Sequence, residues 1–178
     1  MKTLLIGILI VCLFSCSKND SPQGSTAFNM TISGLPGGPF HFSDYSRQDS
    51  TNQYSINGRE NYLSTNPVCW IQPGSGFYTF YFYDYKVTDS GTVVSEVTFG
   101  VPTFSSGTTT NDFAQTNMGP NIISGPVIPH FTFSQMVISL TLNSTQNSVT
   151  DGSFDVTGTD GVRNVHISGS FRGIQNLK

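Results

Sequence analysis

From residue 25 onward the chain keeps one rhythm: apolar side chains at every second position, in short runs closed by Gly, Pro, Asn, Asp and Ser. Alternation of this kind marks a strand with one buried face, because successive side chains of extended backbone point to opposite sides. No run there repeats apolar residues at three- and four-residue spacing, so helices are not expected. Candidate strands are 27–33, 39–43, 53–56, 68–72, 77–87, 92–99, 135–142, 149–157 and 162–174. Residues 100–134 are less regular, interrupted by Pro102, Pro120, Pro126 and Pro129, and read as long loops or edge segments. The expected fold is all-β, an antiparallel β-sandwich or open barrel of about 8–10 short strands.

Register sharpens this. A two-residue turn centred on Asp160-Gly161 sets Phe154 opposite Ile167 and Val156 opposite Val165 on one side. The same turn sets Gly152 opposite Gly169, and Asp155 opposite His166 on the other side. The stretch "GFYTFYFYDYKV", residues 76–87, is dense in rings and is followed through "TDSG" by "TVVSEVTF". Pairing those two runs puts Phe80 and Phe82 with Val97 and Phe99, and puts Tyr81, Tyr83 and Tyr85 with Val94, Glu96 and Thr98. Phenylalanines should therefore face inward, and tyrosines should share a face with polar groups.

The chain opens "MKTLLIGILIVCLFSCSKND", with Lys2 ahead of an apolar run over residues 4–14. That run is too short to span a bilayer, which takes about 20 apolar residues. It fits the hydrophobic region of a secretory signal peptide. Leu13-Phe14-Ser15-Cys16 resembles a bacterial lipobox, although Phe14 is larger than the usual residue there. The resemblance implies a signal peptide over 1–15, a lipidated Cys16 with a flexible tether over 16–25, and a single β domain over 26–178. Two or more acyl chains, each burying CH2 groups at about 0.8 kcal/mol, anchor firmly where one is marginal. Ser17 is not the Asp that retains some such proteins in the inner membrane, so the outer membrane is implied, with its periplasmic and surface faces both open.

Without residues 1–15 the chain carries 7 basic and 11 acidic residues, a formal net charge of −4. This disfavours nucleic acid, which wants a basic face. Only 11% of the chain is charged, and the surface is expected to be rich in hydroxyls and amides. Cys69 is left without a disulfide partner once Cys12 is removed and Cys16 lipidated. It lies in "PVCWIQP", which reads as a strand buried on both faces and so as an inert core thiol.

The candidate ligand platform is the row Tyr81, Tyr83 and Tyr85 with Glu96. Sugar rings stack on aromatic planes and phenols bond sugar hydroxyls, yet cross-strand aromatic pairs also simply stabilise sheets. His41, His130 and His166 face outward on separate strands without ligand spacing, so no metal and no cofactor is expected. "SDYSRQDSTN" offers Asp44 and Asp49 to calcium, but the pattern of a dedicated loop is absent and solvated carboxylates are expected. No nucleophile turn of the G-x-S-x-G kind occurs, and a carboxylate pair for glycoside hydrolysis is not evident.

With its lipobox, tether and "CSKND" start, the chain resembles a small Bacteroidota cell-envelope lipoprotein. The acidic run of the corresponding surface-export signal is represented only by Asp20. "DST" at residues 49–51 resembles the O-glycosylation motif of exported proteins of that group, with Ser50 as acceptor. "GSFDVTG" from Gly152 and "ISGSFRGI" from Ile167 resemble the end of an all-β domain of unknown function in such lipoproteins. The resemblance implies an envelope address and no activity. The expectation is a non-enzymatic, lipid-anchored outer-membrane module that binds an envelope protein or another partner. The alternative is a glycan-binding accessory lipoprotein using the tyrosine row, with a small hydrolase third.

Overall fold

The computed structural model describes residues 25–57, 59–88, 91–102, 107–114, 122–146 and 149–176. The leader and Cys16 lie outside the described residues. The strands are β1 (Ser25–Ser33), β2 (Phe40–Gln48), β3 (Tyr54–Ile56), β4 (Arg59–Ser64), β5 (Cys69–Pro73), β6 (Tyr78–Thr88) and β7 (Gly91–Val101). They continue as β8 (Gly107–Ala114), β9 (Ile122–Gly125), β10 (Ile128–Thr132), β11 (Gln135–Gln146), β12 (Val149–Thr159) and β13 (Asn164–Asn176).

Two antiparallel sheets pack face to face without closing into a barrel, the sandwich of the two architectures expected. The larger sheet runs β4-β3-β2-β1-β13-β12-β11-β8, and the smaller runs β5-β6-β7-β9-β10. They join where the end of β13 lies parallel to β5, pairing Gln175 with Trp70 and Asn176 with Ile71. Three of the strands, β8, β9 and β10, fall where loops or edge segments are expected. β8 and β10 are indeed edges, and Pro129 sits in β10, where a missing N–H is tolerated. β8 and β9 lack a run of alternating apolar residues, β10 is short and carries Pro129, and β4 likewise falls in no candidate strand.

The core is built from the inward residues of both sheets. Phe82 meets Phe28 at 5.4 Å and Phe154 at 5.1 Å between ring centroids, joining the layers, while Phe80 stacks on Phe99 at 5.3 Å. Cys69 is fully buried there, and burial pushes its thiol pKa up.

The β6–β7 pairing separates the two faces as expected: Phe80 faces Phe99, Phe82 faces Val97, Tyr81 faces Thr98 and Tyr83 faces Glu96. The β12–β13 register is displaced. Phe154 faces Gly169 and Val156 faces Ile167, while Thr157, not Asp155, lies directly across from His166. Two features explain the shift. The turn spans Asp160 to Arg163, because the Asp160 carboxylate accepts the N–H groups of Val162 (2.9 Å) and Arg163 (2.7 Å) as well as the Arg163 guanidinium. In the strands, each G-S-F arm fits the other: Gly152 faces Phe171, Ser153 faces Ser170 and Phe154 faces Gly169. A side chain at Gly169 would strike the Phe154 ring, and one at Gly152 the Phe171 ring. Because the displacement is by a full pair, inward and outward faces are unchanged.

Asp44 is a correction. It is buried on β2 and is not a solvated loop carboxylate. Its Oδ1 accepts the Tyr45 N–H (2.8 Å) and its Oδ2 the Tyr85 N–H (2.9 Å), while Asp84 on β6 accepts the Ser43 N–H in return. These crossed bonds stitch β2 to β6 where the two sheets meet.

Candidate functional site

The smaller sheet carries the aromatic row outward. Tyr81, Tyr83 and Tyr85 stand on one face of β6 with Glu96 and Thr98 of β7 beside them. Trp70, directly across from Tyr81 on β5, shares that face because Cys69 and Ile71 point into the core. Its ring stacks on Tyr81 at 4.8 Å and 9°, and lies 4.9 Å from Tyr83 at 32°. Tyr83 donates to Glu96 Oε1 at 3.3 Å. Burial first, and the Glu96 carboxylate second, push the phenol pKa values of Tyr81 and Tyr83 up. The centre of this face is closed: Trp70 is 6% exposed and Thr98 0%. A sugar ring stacks only on an open aromatic plane, and Trp70 already occupies that role for Tyr81. The sequence placed the tyrosines on one face but gave Trp70 no part in that row. The signal was there, since residues flanking an outward position of "VCWIQ" are inward.

The larger sheet presents a different outward face. Along one cross-strand row stand Val137 (β11), Thr157 (β12), His166 (β13) and Ser33 (β1). The next row holds Gln135, Thr159 and Asn164. Together they line an open hollow of about 530 Å³, within the range of small-molecule sites. Val137, 37% exposed, gives it an apolar floor. Gly34 turns the end of β1 at φ +91°, and a Cβ there would collide with the Asn164 carbonyl oxygen, so glycine lets β1 close onto β13 at the rim. His166 Nε2 bonds Asp155 Oδ2 at 2.8 Å, diagonally rather than directly across the strands. That contact fixes the ring and leaves its other nitrogen facing elsewhere; among the described residues no hydroxyl is bonded to it. A pair this exposed contributes little to stability.

The remaining candidates are dispersed. His41 is exposed and 3.1 Å from the Thr31 hydroxyl, and His130 is exposed and 3.2 Å from the Thr132 hydroxyl. Among the described residues no group of His, Cys, Asp or Glu could hold a metal ion. Asp49 caps the β2–β3 turn by accepting from the Thr51 N–H, the Thr51 hydroxyl and the Gln53 N–H. The Thr51 hydroxyl, then the Gln53 N–H, hold its pKa below the usual carboxylate value. Ser50, the candidate glycosylation acceptor, is exposed in that turn.

The fold and this hollow define an open two-sheet β-sandwich with one polar and one aromatic outer face. Comparison with protein-family models, curated proteins and solved structures found no match.

Proposed function

We propose that this chain is a lipid-anchored envelope module of the outer membrane that works by binding, and that its ligand is a neutral, hydroxyl-bearing molecule such as a segment of glycan. The hollow on the larger sheet carries the reading. Its rim offers the hydroxyls of Ser33, Thr157 and Thr159, the amides of Gln135 and Asn164 and the His166 imidazole around Val137. Neutral donors and acceptors around an apolar floor suit a ligand with hydroxyl edges and C–H faces. The row from Val137 to Ser33 crosses three strand spacings, about 14 Å, which is room for more than one sugar ring. Hydrolysis finds less support, because the His166–Asp155 pair is not joined to a hydroxyl nucleophile among the described residues.

The glycan reading through the tyrosine row keeps one favourable observation, the partly exposed Tyr83 phenol held by Glu96. A glycan-array screen of the full chain carrying Cys16→Ser, in place of the lipidated protein, tests both. A hit that disappears in Thr157→Val/His166→Ala supports the hollow. A hit that disappears only in Tyr83→Ala moves the site to the smaller sheet, and no hit in any chain overturns the glycan ligand.

A further inference from the structure

Where the chain enters the domain, the larger sheet carries a second depression. Ser25 and Ala27 of β1 lie between β2 and β13: Ala27 faces Tyr45 on one side and Arg172 on the other, and Ser25 faces Arg47. The small Ala27 side chain leaves a pit of about 260 Å³, lined by Ser25, Thr26, Ala27, Tyr45, Arg47 and Arg172. Both arginines are exposed, and among the described residues neither has a carboxylate in ion-pair contact. Acids on β2, just after it and on β12 are engaged elsewhere. Asp151 accepts the Gly173 N–H at 2.6 Å, Asp49 caps its own turn, and Asp44 points into the core. Tyr45 is 47% exposed, one of few large apolar surfaces left open.

We propose that this pit holds the phosphate of an anionic lipid headgroup in the membrane to which Cys16 is anchored, an inference that rests on the lipid-anchored reading. Guanidinium is the side chain suited to phosphate, because its fork of donors meets phosphate oxygens in pairs. Two guanidiniums across one small residue, with a phenol and a hydroxyl beside them, form such a receptor. Its position matters as much. The nine residues from Cys16 to Ser25 reach at most about 30 Å when extended and about 17 Å as a flexible chain. The pit is therefore held within reach of the headgroups, with a ring of the kind that settles at membrane interfaces. The chain is otherwise acidic: residues 16–178 carry a formal net charge of −4 even with these two arginines counted. An anionic surface would thus attract this end and repel the remainder, turning the hollow and the opposite end away from the membrane.

The test is sedimentation of the full chain carrying Cys16→Ser, with its leader removed, on vesicles of phosphatidylcholine alone or mixed with phosphatidylglycerol at low ionic strength. Binding is expected on the phosphatidylglycerol vesicles and not on the neutral ones. Arg47→Gln/Arg172→Gln should weaken it about 30-fold, at about a factor of five for each cation near an anionic surface. Equal binding by the double variant, or no preference for phosphatidylglycerol, overturns the proposal. Thermal stabilisation by inorganic phosphate without vesicle binding overturns the lipid source. The double variant should keep the melting temperature of the Cys16→Ser chain, since both arginines are exposed and neither has a carboxylate in ion-pair contact among the described residues. Incorporation of labelled palmitate at Cys16 in the unmodified chain reads the anchor separately: its absence would overturn lipid anchoring whatever the vesicles show.

Discussion

The two outer faces of this sandwich are built from opposite chemistry. The smaller sheet puts Trp70, Tyr81 and Tyr83 outward and packs their rings on one another, so that Trp70 is buried although it lies outside the core cluster. The larger sheet puts Ser33, Thr157, His166 and Asn164 outward around a hollow open to solvent. Aromatic side chains supply stability wherever they are covered, whichever side of a sheet they occupy. Short polar side chains on an open sheet contribute little to stability, and a cluster of them around a hollow is better explained by what it contacts. The difference predicts that substitutions on the aromatic face damage the fold, and substitutions around the hollow damage binding alone.

The largest effect belongs to the core beneath the aromatic row. Phe82→Ala removes a ring packed on Phe28, Phe99 and Phe154 and should cost about 3–5 kcal/mol, read as loss of the cooperative transition in thermal unfolding or a fall of about 10 °C or more. Trp70→Ala comes next. If the aromatic face is structural it should cost about 3 kcal/mol, and a melting temperature unchanged by this variant would break the comparison. Asp84→Asn, two residues beyond Phe82 on β6, should move the other way. The Asp84 Oδ2 is buried with no hydrogen-bond partner among the described residues, and the Lys86 ammonium is 3.5 Å away. Burial raises this carboxyl's pKa above the ordinary value, with Lys86 opposing. A raised pKa means the charged form is penalised in the folded state, in full above the folded pKa and not at all below the unfolded value near 3.9. Asparagine should therefore raise the melting temperature at pH 7, and the gain should shrink as the pH falls towards 4. Asp160 has the opposite sign: the N–H groups of Arg163 and Val162, and then the Arg163 side chain, hold it down to about 2. Its contribution is present above pH 4 and is lost as the pH falls towards 2, and Asp160→Asn should flatten that acid limb. The smallest effect is His166→Ala, within about 0.5 kcal/mol, despite its 2.8 Å contact with Asp155.

Alternation made the fold class legible, and the two faces of β6 and β7 could be told apart because Phe80 and Phe82 alternate with Tyr81, Tyr83 and Tyr85. β12 and β13 were harder. Asp160-Gly161 signals a tight turn, and only the side-chain bonds of Asp160 reveal the wider one. The repeated G-S-F offered the better guide to register, each ring covering the other arm's glycine. β4, β8 and β9 are not legible because their sequences lack a run of alternating apolar residues, and β10 because it is short and carries Pro129. Of the sites, the tyrosine row was visible as one run of sequence. The hollow and the arginine pit were not, since each draws its residues from three or four strands far apart in the chain. Parity alone could say that Asp44 and Asp84 alternate with outward-facing neighbours, but not that two carboxylates would be buried to stitch the sheets.

The most direct test sets the two faces against each other on one glycan array: the Cys16→Ser chain, its Thr157→Val/His166→Ala variant and its Tyr83→Ala variant, each checked for folding by thermal unfolding. The account predicts that the hollow variant loses the glycan at an unchanged melting temperature, while the tyrosine variant melts lower and still binds. Binding kept by the hollow variant and lost by a folded Tyr83→Ala would contradict it and make the aromatic face the site.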